Sequence, residues 1–282
     1  MPRHAYLILA HSDIPLLETL VSCLDDSRND IFIHWDAKSG NPPTLPTRHS
    51  RLFMLDERIN VNWAGYSMVK AEFLLFKEAF SNGPYAYYHL LSGADLPIKT
   101  QDYIHDECER LDGTEFIAFA PASEAEIDFR VQHRFAFPEE FRTKNLCKRA
   151  LRFVTIKYQD LIHARRTDLP VKKGSQWCSL TQDFVEYLIQ QETFVKDLFS
   201  NTFCPDEMFV QTVVINSLFA DKVKSAQSEF DGNMRYIKWV NGELLPITLS
   251  DMPDIISSDK WFARKFSSDD PSLIAEIKKC IL

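Results

Sequence analysis

The amino-acid sequence predicts an α/β fold built on a central, mostly parallel β-sheet. Short apolar runs alternate with longer segments of helical spacing over the first 120 of 282 residues, and this rhythm is typical of a doubly wound sheet. The first run, AYLILA at residues 5–10, is uninterrupted, as expected for a strand covered on both faces. Ligands of such sheets bind beyond the carboxyl ends of the strands, so residues that directly follow strands are the first site candidates.

The remaining elements of the first half follow from local patterns. Asp13 and Pro15 are placed to cap and open a helix, and Ser67 is predicted to cap another. Apolar side chains at helical spacing support both helices. Predicted strands lie at residues 31–35, 52–55, 85–91 and 115–119, and predicted helices at residues 13–24 and 67–80 and from residue 101 onward.

The second half mixes strands and helices. A basic stretch at residues 139–163 is predicted to be a helix whose charged face is solvated. Other predicted elements are strands at 176–180 and 235–239 and helices at 181–191, 203–218 and 271–280. No internal repeat or long linker divides the chain, so a single domain over residues 1–282 is expected.

Composition and charge narrow the function classes. Acidic residues outnumber basic ones 40 to 32, for a net charge of −8 and a pI near 5.5, which disfavours a broad nucleic-acid surface. An anionic small ligand would need positive charge gathered locally. The N-terminal apolar run is too short for a signal peptide or a membrane span. Six scattered cysteines without a C-x-x-C pair indicate reduced thiols in a cytoplasmic setting.

Six ordered segments then carry a family resemblance. Neither G-x-G-x-x-G nor a P-loop is present, which removes motif support for dinucleotide and P-loop sites. The segments are AYLILAH near the start, H-x-D-x-K at residues 34–38, YHLLSGADLPIK at 88–99, GSQWCSL at 174–180, PDE at 205–207 and WFARKF at 261–266. Together they resemble the core-2/I-branching N-acetylglucosaminyltransferase and peptide O-xylosyltransferase family, in a short bacterial form without a membrane anchor.

The resemblance implies a GT-A-type, Rossmann-like nucleotide-sugar transferase domain. A nucleotide-binding half would span about residues 1–120, and an acceptor and catalytic half about 121–282. The implied reaction is inverting transfer from a UDP-sugar to a saccharide or glycolipid hydroxyl, without a metal or other cofactor. In agreement, no two aspartates stand in the D-x-D spacing with which metal-dependent GT-A enzymes hold their cation, and H-E-x-x-H is absent.

The family's catalytic base corresponds to Glu207 of the PDE segment. A carboxylate is needed to take the proton of the attacking hydroxyl, and a position at the start of a helix favours its ionised form. The alternative is that Asp206 and Glu207 only complement the helix dipole.

Positive charge must stabilise the departing diphosphate where no metal does so. Arg235 and Lys265 match the family's two basic diphosphate ligands, and Arg264 and Lys260 are rivals of Lys265. Their common alternative is ordinary surface charge, which is favoured for Lys260.

Donor and acceptor contacts complete the predicted site. His11, Asp36, Ser92 and Asp95 follow predicted strands and are expected around the nucleoside and donor sugar. Asp36 and Asp95 are equally good turn-forming aspartates. The expected acceptor contacts are Gln176, Trp177 and Arg130, although Trp177 is as consistent with a core tryptophan.

The sequence thus predicts an inverting, metal-independent glycosyltransferase of bacterial surface polysaccharide synthesis, with peripheral membrane contact open. Two alternatives remain: a metal-dependent GT-A transferase with a divergent acidic site around Asp95, and a non-catalytic sugar-nucleotide or glycan-binding protein of the same fold. A glycoside hydrolase would need a second carboxylate opposed to Glu207, and the sequence offers no evident one.

Overall fold

The computed structural model describes residues 2–164, 166–225, 231–241 and 243–282. Its strands are β1 (His4–Ala10), β2 (Asn29–Trp35), β3 (Arg51–Met54), β4 (Tyr87–Ser92), β5 (Asp95–Pro97), β6 (Ser179–Thr181), β7 (Arg235–Ile237), β8 (Trp239–Val240), β9 (Glu243–Leu244) and β10 (Phe262–Arg264). Its α-helices are α1 (Ile14–Leu24), α2 (Tyr66–Asn82), α3 (Gln101–Arg110), α4 (Glu124–Val131), α5 (Leu146–Leu161), α6 (Gln182–Gln190), α7 (Glu192–Phe199), α8 (Phe209–Ile215), α9 (Met252–Ser257) and α10 (Pro271–Ile281). Short 3₁₀ turns lie at Ala37–Ser39, Pro205–Glu207, Ala220–Lys222 and Leu249–Asp251.

The central sheet has the strand order β3-β2-β1-β4-β6. The first four strands run parallel, and β6 joins the edge antiparallel to β4. The predicted α/β class with a central, mostly parallel sheet is therefore confirmed. The carboxyl ends of β1, β2 and β4 meet at one edge of this sheet.

Both faces of the central sheet are buried, which explains the uninterrupted apolar sequence of β1. Alternate side chains point to opposite faces: Leu7 and Leu9 pack with residues of α2, α6 and α8. Tyr6 and Ile8 pack with residues of α1, α3 and α10. None of the described helices combines the length and apolarity that a bilayer span requires.

A second, three-stranded sheet packs on the α1 side and reaches the same edge. Its order is β5-β10-β7, with β10 antiparallel to β5 and parallel to β7. Beyond β10, the backbone N–H of Ser268 donates to the carboxylate of Asp13 at 2.9 Å. The C-terminal segment is thus fastened beside the first strand-to-helix turn.

Several local predictions need correction. Asp13 caps α1 as predicted, but Gly65 takes the N-cap position of α2 and Ser67 lies inside its first turn. Residues 115–119 form no continuous strand, because Glu115 and Phe116 pair with two different partners.

The boundaries in the second half also differ from prediction. The basic helix begins only at Leu146, and the strand predicted at 176–180 begins at Ser179. The helix predicted over residues 203–218 is a 3₁₀ turn followed by the short α8.

Candidate functional site

A pocket of about 500 Å³ opens at the carboxyl edge of the central sheet. Turns after β1, β2 and β4 form its floor, and the loop before β6 and the end of β10 form its walls. Seven residues predicted from sequence line it together: His11, Asp36, Ser92, Gln176, Trp177, Arg264 and Lys265. Segments more than 250 residues apart therefore converge where the fold class places a ligand.

The β1 and β2 turns hold each other at the pocket floor. The Asp36 carboxylate accepts from the backbone N–H of Lys38 at 2.8 Å and so caps the short 3₁₀ turn after β2. The Ser39 hydroxyl donates to the carbonyl oxygen of His11 at 2.6 Å. The side chain of His11 is exposed. Asp36 therefore forms the turn, as its alternative interpretation held, and also lines the pocket.

Asp95 serves the turn after β4 and does not line the pocket. One carboxylate oxygen accepts from the Ser92 backbone and the other from the Ser92 hydroxyl, both at 2.9 Å. The Nε atom of Arg264 lies 3.4 Å from the same carboxylate, and Asp95 is 1% exposed. In this structure Asp95 therefore shapes the pocket wall through internal contacts, and its contact with the donor stays a prediction.

Lys265 is the cation at this pocket that remains available to a ligand. Its side chain is exposed and lines the pocket, and no described residue forms an ion pair or hydrogen bond with its ammonium. Arg264, the alternative candidate for the diphosphate contact, forms an ion pair with Asp95 and stacks 4.2 Å above the Trp177 ring. Burial also lowers the pKa of the Arg264 guanidinium, since a charge in the interior is poorly solvated.

The loop before β6 supplies an amide and an aromatic ring. Gln176 reaches the pocket while its Nε2 donates to the buried carboxyl of Glu72 at 2.7 Å. Trp177 is only 9% exposed, and Arg264 covers one face of its ring. Trp177 is therefore mainly a packed wall residue, and that face offers no open platform for a sugar.

Glu207 and Arg130 are not among the residues that line this pocket, and Glu207 takes part in a chain of ion pairs. Its Oε2 accepts from Arg130 at 2.7 Å, and Arg130 also pairs with Glu126 at 3.1 Å, which Lys173 contacts at 2.9 Å. The backbone N–H of Gly174 donates to the Glu207 carbonyl at 2.8 Å, which ties the 3₁₀ turn to the loop carrying Gln176. The side chain of Glu207 is 38% exposed, and its Oε1 has no partner among the described residues.

Two buried carboxyls lie behind Glu207. Burial, together with the nearby charge of Asp206, raises the pKa of Glu72 well above its usual range. Burial and the charge of Glu207 raise the pKa of Asp206 to about 7. One oxygen of each carboxyl is buried without a hydrogen-bond partner in the described structure. Protonation relieves the cost of burying these groups, so both carboxyls hold a proton more readily than an exposed carboxyl does.

Arg235, which is predicted to be a diphosphate ligand, lies in the interior of the protein. The residue is 2% exposed, and its guanidinium donates to the Ser179 hydroxyl and to the carbonyls of Leu90, Cys178 and Asn233. It does not line the pocket. Burial lowers its pKa to about 10. In this structure Arg235 joins the second sheet to the central one, because the interior acceptors use its terminal N–H groups.

Sequence reasoning missed Glu139, which fastens the pocket rim. Its carboxylate accepts from the backbone and hydroxyl of Ser67, at 3.0 and 2.5 Å. A Cβ at Gly65 would stand 2.3 Å from that carboxylate, so a larger residue there would displace the Glu139 side chain from its contacts with Ser67. The neighbouring Arg142 stacks 4.1 Å above the ring of Trp63, a residue that lines the pocket. A lone glutamate in a poorly patterned loop gave no sequence signal for this contact.

Among the described residues, one group of side chains has ligand atoms close enough together to hold a metal: His4, His89 and Cys108. All three are buried in the core and lie outside the pocket lining. The Nε2 of His89 is 3.1 Å from Nδ1 of His4, and its Nδ1 is 2.8 Å from the Ser179 hydroxyl. Burial lowers the pKa of both histidines, so they are neutral members of an internal hydrogen-bond network.

Comparison with known proteins matches the chain to one family. The model of the Core-2/I-Branching enzyme family matches residues 4–259. A mouse beta-1,3-galactosyl-O-glycosyl-glycoprotein beta-1,6-N-acetylglucosaminyltransferase is 24% identical, over 98% of this chain and 64% of the relative. A beta-glucuronosyltransferase of Arabidopsis thaliana is also 24% identical, over 96% of this chain and 64% of the relative. Rat xylosyltransferase 1 is 23% identical, over 84% of this chain and 28% of the relative.

The match therefore runs through nearly the whole chain, although the chain spans less than two thirds of the length of these relatives. The family match includes every segment on which the resemblance was based except WFARKF, which lies at residues 261–266, just beyond it. The chain belongs to the Core-2/I-branching enzyme family.

Proposed function

We propose that this chain is an inverting, metal-independent glycosyltransferase that moves a sugar from a UDP-sugar to a saccharide hydroxyl. The observation that carries the proposal is the pocket itself. It lies at the carboxyl edge of the sheet and combines turn residues from three parallel strands with the unpaired Lys265. A hydrogen bond from Gly174 joins its Gln176 loop to the 3₁₀ turn of Glu207, whose carboxylate is partly exposed.

In the proposed reaction, the acceptor hydroxyl oxygen forms a bond to the anomeric carbon while the bond from that carbon to the diphosphate oxygen breaks. The hydroxyl proton passes to the Glu207 carboxylate, and UDP departs with the electron pair. Lys265 offsets the negative charge that grows on the diphosphate. Attack from the face opposite the leaving group inverts the anomeric centre.

Arg130 has a different part in this proposal from the acceptor contact expected of it. Its 2.7 Å contact holds Oε2 of Glu207 and orients the carboxylate, leaving Oε1 for the acceptor hydroxyl. The accepted proton can pass on to water, since Glu207 is partly exposed.

The metal-independent reaction is favoured over a divergent acidic site around Asp95. Both oxygens of that carboxylate already accept from Ser92, and the nearest charged group is the cation of Arg264. A second cation there would be repelled by the guanidinium at 3.4 Å.

The donor sugar and the setting also belong to the proposal. The matched relatives are named for N-acetylglucosaminyl, glucuronosyl and xylosyl transfer, so family membership does not select one sugar. Bacterial surface polysaccharide synthesis in the cytoplasm is the proposed setting, supported by six unpaired cysteines that suit a reducing compartment.

Titration of UDP by calorimetry in excess EDTA tests the donor site. Wild-type protein is expected to bind UDP, and Lys265→Met to bind it roughly 10-fold or more weakly, the usual cost of losing a charge-assisted hydrogen bond. Lys279→Met is the matched control, because that lysine is exposed on α10 and pairs only with Glu276. Binding that requires added Mn²⁺ would refute metal independence, and unchanged affinity in Lys265→Met would remove Lys265 from the site.

A screen of UDP-sugars with candidate saccharides, read by release of free UDP, separates an enzyme from a binding protein. Acceptor-dependent UDP release supports transfer. Donor binding without UDP release from any pair would support the non-catalytic alternative.

A further inference from the structure

Helix α5 presents its apolar half to solvent and its polar half to the protein. None of its residues is buried. At about 3.6 residues per turn, a set of exposed apolar side chains shares one half of the helix surface, and it extends one residue past the helix end. The set is Leu146, Leu151, Phe153, Val154, Tyr158, Leu161 and Ile162.

Polar contacts hold the opposite half of α5 to the protein. The guanidinium of Arg152 donates to the backbone carbonyls of Ala136, Phe137, Glu140 and Phe141. Gln159 exchanges two hydrogen bonds with the backbone of Arg134, at 2.7 and 3.0 Å. The outward direction of the apolar half is therefore set by a specific attachment, and the expected solvated charged face is only part of the exposed surface.

The net charge of α5 is positive, opposite in sign to the net charge of the whole chain. The helix carries four basic side chains and one acidic side chain, whereas the chain has a net charge of −8. Arg149 and Lys157 lie one turn before and one turn after Phe153, on the border of the apolar half. The single acidic residue, Asp160, already pairs with His133 and Lys157.

We propose that this exposed half of α5, from Leu146 to Ile162, docks on an anionic membrane surface. An amphipathic helix with large apolar side chains on one side and basic ones at its border lies in the headgroup region of anionic bilayers. The apolar side chains enter the boundary of the acyl chains, and Arg149 and Lys157 meet lipid phosphates. The local positive charge of α5 selects this occupant, since a symmetric contact with a second copy would bring the basic residues of two such helices together.

The docking surface is close to the pocket along the chain. The carbonyls that Arg152 binds belong to the loop of Glu139 and Arg142, which hold the pocket rim at Ser67 and Trp63. The docking surface is therefore connected to the pocket rim through this one loop. This inference concerns binding alone and does not depend on the proposed reaction.

Vesicle flotation with the full chain tests the proposal. Vesicles of phosphatidylcholine alone are compared with vesicles that contain about 30 mol% phosphatidylglycerol, at low and high salt. Binding is expected only to the anionic vesicles and should weaken with salt. The double variant Phe153→Ser/Leu161→Ser should reduce the bound fraction roughly 10-fold or more, and Arg149→Glu/Lys157→Glu should abolish the preference for anionic lipid.

Leu218→Ser is the matched control for the apolar changes, because Leu218 is 96% exposed and does not belong to α5. Its substitution should leave binding unchanged. All these side chains are exposed, so circular dichroism should show wild-type folding. Absence of vesicle binding, or binding that the α5 variants leave intact, would overturn the proposal. So would a concentration-dependent dimer in sedimentation equilibrium that Phe153→Ser/Leu161→Ser dissociates, because the face would then be covered by a second copy.

Discussion

The polar groups between the two sheets are buried and hydrogen-bonded, whereas those at the pocket edge are exposed and keep atoms without described partners. Between the sheets, Arg235 is surrounded by carbonyl and hydroxyl acceptors and is 2% exposed. At the pocket edge, Lys265 is exposed and free of described partners, and Glu207 keeps one carboxylate oxygen free. The two cations Arg235 and Lys265 thus differ in their surroundings: interior acceptors bind the guanidinium of Arg235, whereas the ammonium of Lys265 is left without a described partner. Substitutions on each side should affect different measurements.

The largest effect, a loss of transfer activity, is expected from Glu207→Gln. The amide cannot take the acceptor proton, so transfer should fall by roughly 10²-fold or more, while the affinity for UDP changes little. The measurement is UDP release with an identified donor and acceptor, alongside calorimetry. Glu126→Gln removes a charge from the same chain of ion pairs without altering the base, and it should cost far less. Wild-type turnover in Glu207→Gln would eliminate Glu207 as the base.

On the buried side, Arg235→Met should affect stability rather than ligand affinity. The substitution leaves buried carbonyls without their donor and should lower the free energy of unfolding by roughly 2 kcal/mol or more, as measured in urea. Arg110→Met, on an exposed face of α3, should change it by less than about 0.5 kcal/mol. A loss of UDP affinity at unchanged stability would instead restore Arg235 as a diphosphate ligand.

The smallest effect, counted per pH unit, is expected in the pH dependence of stability and comes from Asp206. Its folded pKa of about 7 lies above the ordinary value of 3.8, so the folded state binds more protons between these two pH values. Stability of the wild type should therefore fall as pH rises through this window, by at most about 1.4 kcal/mol per pH unit from this group. Asp206→Asn lacks this loss and should gain stability relative to wild type up to about pH 7.

Urea titrations at several pH values measure that difference. Asp106→Asn, at an exposed position on α3, should give a curve parallel to wild type. A parallel curve for Asp206→Asn as well would show that Asp206 is ionised in the folded protein at low pH, contrary to its burial.

The sequence by itself determined the fold class and seven of the residues that line the pocket. Apolar runs such as residues 5–10 can only be covered strands, and the turn after a parallel strand points to the ligand edge wherever the sheet is built. His11, Asp36 and Ser92 were predictable for that reason. The capping of α1 by Asp13 was also local, since it needs only the next turn of the chain.

Tertiary structure decided what these patterns leave open. Whether Arg235 meets a ligand or the carbonyl of Leu90 depends on a contact across 145 residues. The neighbours Arg264 and Lys265 also differ in their surroundings, because Arg264 ends β10 beside Asp95, whereas Lys265 follows the strand and is exposed. Helix α5 shows the same limit, because helical periodicity defines an apolar half without saying toward what it points. Local sequence sets the conformation of each segment, whereas the partners of a buried charge or an exposed apolar face come from segments distant in the chain.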